Sequence, residues 1–249
     1  HTFHSFCERI LKKEGLEIGL NPDFEIISDP EKWLLVRKNL FKLNIQYYRP
    51  LGSPSKFISA ILKFISRLQD EDITPQDFET FLKNMDIDKE ERIRWEELSQ
   101  IYLAYENLKV QNSKMDFGDL ITWTLKLFRE RPAILKKYQE QFIHILIDEF
   151  QDTNYAQYEL IKLLFPRENT YSRELTVVGD DSQSIYKFRG AAISNIIQFM
   201  DDYPETERIT LIENYRSPQS ILDPAYKLIT NNNPDTLECK LGISKQLIS

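Results

Sequence analysis

The stretch His144-Ile145-Leu146-Ile147-Asp148-Glu149-Phe150-Gln151-Asp152-Thr153 constrains the fold more than any other part of the chain. An apolar run that ends in two adjacent carboxylates reads as a buried parallel strand, delivering Asp148 and Glu149 to its carboxyl edge, where open α/β sheets place their ligands. Nucleotide-driven enzymes use such a position to hold Mg2+ beside phosphates and to orient an attacking water. The same residues also read as a core strand followed by a helix, with Asp148 or Asp152 as the helix cap.

Two later stretches have the same form. Leu175-Thr176-Val177-Val178 breaks into Gly179-Asp180-Asp181-Ser182-Gln183-Ser184-Ile185-Tyr186-Lys187-Phe188-Arg189-Gly190-Ala191, and Ile209-Thr210-Leu211-Ile212 runs into Glu213-Asn214-Tyr215-Arg216-Ser217. Strands are therefore predicted at about 142–147, 175–178 and 209–212, separated by helices near 153–165 and 192–201. Such alternation implies a parallel sheet with crossover helices. Upstream the pattern is helical, with predicted helices over 31–45, 56–69, 76–84, 89–111, 117–129 and 131–141. Phe57, Ile61, Phe64, Ile65 and Leu68 repeat at helical spacing, as do Leu98, Ile101, Tyr102, Tyr105 and Leu108, and these stripes read as core. Thr74 before Pro75, with Asp77 three residues on, marks a helix start, and Asp116 with Asp119 does the same. Asn21-Pro22, Asp29-Pro30 and the stretch from Pro50 to Pro54 read as turns.

Composition narrows the class. A chain of 249 residues is long enough for one large or two small cores. Its 41% hydrophobic and 29% charged residues sit near the globular average. No apolar run approaches the ~20 residues that span a bilayer, and no secretory signal opens the chain, so a cytoplasmic location is expected. Cys7 and Cys239 are far apart without a Cys/His cluster, which indicates neither a disulfide framework nor a zinc site. The net charge of −7 argues against a protein that coats nucleic acid, because backbone binding relies on Lys and Arg. Any DNA contact must be local and can draw on aromatic stacking.

Taken in order, "ILIDEFQDTN", "VVGDDSQSIYKFRGA" and "LIENYRS" closely resemble motifs II, III and IV of the UvrD/Rep-type superfamily 1 DNA helicases. "HTFHSFC" at the start resembles that family's motif Ib, and "MDFGDL" at 115–120 its DFxDL element, with Gly118 in place of the usual acidic residue. The resemblance implies an α/β fold: a partial RecA-like (P-loop NTPase) parallel sheet with a large all-helical insertion, plus the start of a second RecA-like domain. In those terms residues 1–141 are the mostly helical insertion with motif Ib at its start. Residues 142–212 complete the first motor domain, and 213–249 begin the second, with 218–231 as its first helix.

The resemblance also implies roles. Asp148 holds Mg2+, Glu149 is the base that orients the hydrolytic water, and Gln183 senses the γ-phosphate of ATP, an amide being able both to donate and to accept. Gln151 links that sensor to the metal site. Tyr215 stacks on adenine, and Arg216 acts as an arginine finger. Tyr186 and Phe188, alternating in a short extended stretch, form a platform for the bases of single-stranded DNA. The family usually has Trp at Phe188. Arg189 supports phosphates or an interdomain contact, and Thr2, Phe3 and His4 touch the strand from the other end of the track, His4 reading equally as a packing residue at a helix start. Partners expected on this basis are ATP, single-stranded DNA and single/double-strand junctions, with 3′ to 5′ translocation.

The chain contains no G-x-x-x-x-G-K-S/T, so the backbone cradle and the lysine for phosphates are missing from it. It therefore reads as the middle of a longer helicase and is expected to be inactive alone. A sheet without its Walker A strand has an exposed edge or a central hole. Two alternatives stand beside the helicase reading. One is a helicase-nuclease subunit of RecB or AddA type, against which Asp181-Ser182 before Gln183 leans. The other is a non-catalytic interaction module built on the helical block.

Overall fold

The computed structural model describes every residue except 44, 168–173 and 184–192. Helices begin where short polar side chains can take up free N–H groups. Thr2 accepts from the Ser5 N–H and starts α1 (Phe3–Glu14). Ser28 starts α2 (Asp29–Asn39) and donates its N–H and hydroxyl to the Glu31 carboxylate. After α3 (Ile58–Asp70), the capping boxes expected from the sequence form at both places. Thr74 with Asp77 starts α4 (Pro75–Asn84), and Asp116 with Asp119 starts α6 (Phe117–Glu130). Asp88 caps the long α5 (Lys89–Gln111), Pro132 opens α7 (Pro132–Gln141), and Asn154 with Gln157 boxes α8 (Tyr155–Leu164). That last box corrects one reading of the sequence: the cap of α8 is Asn154, not Asp148 or Asp152.

The chain divides into two compact units, residues 1–143 with 154–166, and residues 144–153 with 167–249. In the first unit most of the predicted stripe residues are core, with Phe57 and Phe64 half-buried against it and Leu108 half-buried. Ile61, Ile65 and Leu68 of α3 pack with Phe78 and Leu82 of α4, and with Leu98, Ile101, Tyr102 and Tyr105 of α5. The helix predicted over 31–45 stops at Asn39, whose side-chain amide turns back to the Leu35 carbonyl at 2.9 Å. Leu43 and Ile45 still enter the core from the turns that follow. A two-residue parallel pair, β1 (Glu25–Ile26) with β2 (Lys114–Met115), had no signal in the sequence. Cys7 on α1 is buried, and burial pushes its thiol up to about 12, a hydrogen bond with Thr124 acting the other way.

One lysine holds the polar heart of this unit. Lys109 Nζ lies 2.9 Å from Glu106, 3.0 Å from Asp116 and 2.5 Å from Asp119, with its side chain 1% exposed. Tyr105 donates its hydroxyl to Asp116 at 2.9 Å, and the Gln69 amide donates to Asp119 at 2.9 Å and to Asp116 at 3.3 Å. Burial opposes charge on Lys109, but the surrounding carboxylates outweigh it and raise its pKa. Burial together with Asp116 and Glu106 drives Asp119 well above the usual carboxylate range. Burial also acts to raise Asp116, yet Lys109 outweighs it and holds Asp116 below that range. Around the one ammonium the two aspartates are thus driven in opposite directions, Asp116 down and Asp119 up. Gly118 fits it by absence of a side chain, since a Cβ there would sit 2.3 Å from Gln69 Oε1.

The second unit contains β3 (His144–Ile147) and β4 (Glu174–Val177), paired parallel with Ile147 opposite Val177. Helices α9 (Ile193–Asp202), α10 (Gln219–Ile229) and α11 (Leu237–Leu241) follow. Two expectations are corrected here. β3 is not buried along its length: among the described residues its sheet has two strands, and while Ile147 is buried, Leu146 is 71% exposed. Residues 209–212 form no strand. Ile209 and Leu211 are exposed, and among the described residues pairing is limited to a bridge between Glu213 and Ile248, in which the Ile212 carbonyl accepts the Ile248 N–H at 2.9 Å. Among the described residues no helix is long and apolar enough to cross a membrane.

Two substitutions test this packing. Gly118→Ala forces Gln69 off the cluster and is expected to destabilise the first unit by about 1–3 kcal/mol. Lys109→Met strands the buried carboxylates and is expected to destabilise it by about 3–5 kcal/mol. Urea unfolding followed by circular dichroism measures both, and wild-type midpoints for either variant would contradict the packing described.

Candidate active site

The pairing of β3 with β4 brings two acidic loop starts side by side. The ladder continues past the strands, with the Val178 N–H donating to the Ile147 carbonyl and the Phe150 N–H to the Val178 carbonyl, both at 2.8 Å. Asp148 and Glu149 therefore leave β3 beside Gly179 and Asp180, which leave β4. Glu149 adopts a left-handed backbone, φ 51° and ψ 42°, which a residue with a Cβ enters at a cost. Asp148 takes up its N–H at 3.0 Å. Both carboxylates are exposed at the end of the strand.

Gln151 joins the two loops. Its side chain is buried at 1% exposure, its Nε2 donates to Glu149 Oε2 at 2.5 Å, and its Oε1 accepts the Asp180 N–H at 3.0 Å. Gly179 makes room for it, since a Cβ there would sit 3.0 Å from the same Oε1. Asp180 in turn accepts from Gln183 Nε2 at 3.0 Å and from the Ser182 N–H at 3.1 Å, and its carbonyl accepts the Gln183 N–H. Lys245 donates to Asp180 and Asp181, and Asp181 also accepts the Leu237 N–H at 2.8 Å. Burial acts to raise the Asp180 carboxyl, but the bonds from Lys245, Gln183 and Ser182 outweigh it and hold it below the usual range.

The sequence candidates therefore fall into four groups. Asp148, Glu149, Gln151 and Gln183 are brought into one network. Tyr215 and Arg216 stand apart from it, with no hydrogen bond to those residues among the described ones. Both are exposed on a turn that Asn214 builds, its Oδ1 accepting the N–H groups of Arg216 at 3.0 Å and Ser217 at 2.8 Å. Tyr186, Phe188 and Arg189 lie outside the described residues. In the first unit Thr2 is the cap of α1 and Phe3 its first residue. The ring of His4 packs edge-on against Phe117, centroids 5.6 Å apart, and burial lowers its pKa.

The sequence reading missed Asp180, Asp181 and Lys245. The first two carried a signal, since adjacent carboxylates after a strand repeat the form of Asp148-Glu149. Lys245 carried none. Among the described residues no three His, Cys, Asp or Glu side chains are grouped to hold a metal by themselves. An exposed carboxylate pair of this kind fits Mg2+, which takes one or two carboxylates and completes its shell with water and phosphate oxygens.

In class this is a mixed helix and strand chain with small parallel sheets, compatible with a partial RecA-like fold. The family profile described as UvrD/REP helicase N-terminal domain matches residues 1–204, and the chain belongs to that family. Relatives include the ATP-dependent DNA helicases PcrA of Leuconostoc citreum, 37% identical over 234 residues, and of Staphylococcus epidermidis, 39% identical over 232. PcrA of Staphylococcus aureus is 38% identical over 232 residues. Each alignment covers 93% of this chain but 29% of the relative, so the chain spans less than a third of the length of the curated relatives it matches.

The left-handed backbone at Glu149 can be tested by itself. Glu149→Gly and Glu149→Ala both lose the bond from Gln151, but only Ala keeps a Cβ. The Gly variant is expected to be more stable than the Ala variant by about 1 kcal/mol. Equal unfolding midpoints would argue against the conformation.

Proposed function

We propose that this chain is the central portion of an ATP-dependent DNA helicase or translocase that moves 3′ to 5′ on single-stranded DNA and opens single/double-strand junctions. The observation that carries the reading is the Gln151 amide between Glu149 and the loop of Gln183, in a member of the UvrD/REP family. Residues 142–212 complete a first motor domain and 213–249 begin a second, with the helical block of 1–141 as an insertion in the first.

Asp148 is the residue to hold Mg2+ against the nucleotide, and the ion supplies charge neutralisation at the phosphates. Glu149 accepts the proton of the attacking water and orients it, with Gln151 fixing the carboxylate by its Nε2 bond. Gln183 donates to the γ-phosphate once it leaves Asp180, so its present bond reads as a resting position. Tyr215 and Arg216 project from an Asn214-pinned turn, the ring for adenine and the guanidinium for the transferring phosphoryl group. Thr2, Phe3, His4, Tyr186, Phe188 and Arg189 are assigned to the DNA track. The chain alone is inactive in this reading, because it contains no phosphate cradle. DNA repair is the setting in which such a motor works.

Phosphate release by the complete protein, with and without single-stranded DNA, tests the proposal. Turnover is expected to be DNA-stimulated and to fall about 10²–10⁴-fold in Glu149→Gln, the range for loss of a general base. Arg216→Ala is expected to lower turnover by roughly 10³-fold or more at unchanged melting temperature. Turnover within about tenfold of wild type means less than ~1.4 kcal/mol of barrier was lost, and Arg216 is then no finger. A complete protein without DNA-stimulated turnover would remove the reading altogether.

A further inference from the structure

Asp180 and Asp181 are adjacent carboxylates on one short turn, and a cation between them relieves their mutual repulsion. The cation comes from far along the chain. Lys245 Nζ is paired with both, and lies 3.3 Å from Ser182 Oγ. Its own backbone is held in turn: the Lys245 N–H donates to Glu238 at 3.1 Å, and Glu238 also accepts the Tyr226 hydroxyl at 2.8 Å. α11 ends at Gly242 with φ 63°, a left-handed residue that turns the chain back towards the β4 loop. Burial opposes the charge of Lys245, yet the bonds to Asp180 and Asp181 outweigh it and raise its pKa.

The two carboxylates have different duties. Asp181 is buried, and its remaining bond goes to the Leu237 N–H, so it anchors the turn to α11. Asp180 is about a third exposed and faces the site, one oxygen towards Lys245 and the other towards Gln183 Nε2, while its N–H holds Gln151. A continuous path of bonds thus runs from Lys245 through Asp180 to Gln151 and Glu149, with a branch to Gln183. Lys245 touches neither Glu149 nor Gln183, and any effect on them passes through Asp180.

We propose that Lys245 is a positioning residue for hydrolysis, fixing through Asp180 the two amides that set the Glu149 carboxylate and the Gln183 side chain. The proposal rests on the roles given above to Glu149 and Gln183. Without the ammonium, Asp180 and Asp181 repel each other, the more exposed Asp180 carboxylate swings to water and leaves Gln183 Nε2, and the turn that presents the Asp180 N–H to Gln151 loses its anchor. Because Lys245 lies beyond residue 213, the link also ties the second motor domain's opening segment to the γ-phosphate sensor.

The test is DNA-stimulated ATP turnover by the complete protein in wild type, Lys245→Met, Lys245→Arg, Asp180→Asn and the Lys245→Met/Asp180→Asn double variant. Lys245→Met is expected to lower kcat roughly 10- to 100-fold, the scale of a catalytic group misplaced by about 1 Å, with KM for ATP nearly unchanged. Lys245→Arg is expected to recover most of kcat, and the double variant to be no slower than Lys245→Met alone. Wild-type kcat in Lys245→Met overturns the proposal, and so does a double variant whose losses multiply. If Lys245→Met does not fold, Lys245→Gln replaces it under the same criteria. Failure of both to fold makes Lys245 a structural residue and overturns the proposal as well. A wild-type protein without DNA-stimulated turnover sinks the helicase reading itself, whereas active wild type with an indifferent Lys245 sinks only this inference.

Discussion

The buried amide of Gln151 is the interaction on which the geometry of the site depends. It meets both loops, giving its N–H to the Glu149 carboxylate and its oxygen to the Asp180 N–H. An amide is the group this place calls for, because it must donate on one side and accept on the other. A carboxylate would repel Glu149, and an aliphatic chain would strand a buried N–H at a cost of about 1–3 kcal/mol. The parallel register of β3 and β4 brings the loops within reach, and Gly179 leaves the space that the amide fills. Sheet pairing sets the distance, and the amide converts that distance into a fixed relation between a carboxylate and the turn of Gln183.

The acidic balance of the chain is handled by the same device twice. Lys109 in the first unit and Lys245 in the second each gather two or more carboxylates around one ammonium. Their environments differ. Lys109 is fully enclosed, and burial with the neighbouring carboxylates pushes Asp119 upward while Lys109 holds Asp116 down. Lys245 is about a fifth exposed, and Asp180, partly open to water, remains charged and able to change partner. A closed cluster of the first kind suits a structural joint, whereas a cluster with one exposed carboxylate suits a site where a bond must be exchanged.

What could be read in the sequence follows the range of the forces involved. Helices α3 to α7 were legible because caps and stripes are local, as Thr74 with Asp77 and Asp116 with Asp119 illustrate. β3 and β4 were legible as apolar runs bounded by turn residues. The run at 209–212 had the same local form and yet makes no strand, since a strand is defined by a partner that its own sequence does not contain. At the site, Asp148, Glu149, Gln151 and Gln183 could be named from their order, but the bonds among them could not. The roles of Asp180 and Lys245 required the fold, since 65 residues of chain separate them. Gly118 looked like a departure from a pattern, and it proves to be a fit to Gln69 that only packing reveals.

The backbone at Glu149 shows how the fold bears on the proposed chemistry. A non-glycine residue in the left-handed region stores about 1–2 kcal/mol, and persists only where its neighbours leave no alternative. Here the neighbours are identifiable: the Phe150 N–H is fixed to the Val178 carbonyl on one side, the Glu149 N–H to Asp148 on the other, and the side chain to Gln151. An extended Glu149 would continue the strand and alternate away from Asp148, one carboxylate on each face of the sheet. The left-handed turn ends that alternation and lets the chain close into the 3-10 turn Phe150–Asp152, which buries Phe150 and Gln151 beneath the carboxylates. The strain at Glu149 is therefore what places the amide under the acid it holds, and a relaxed backbone would separate the proposed base from the residue that orients it.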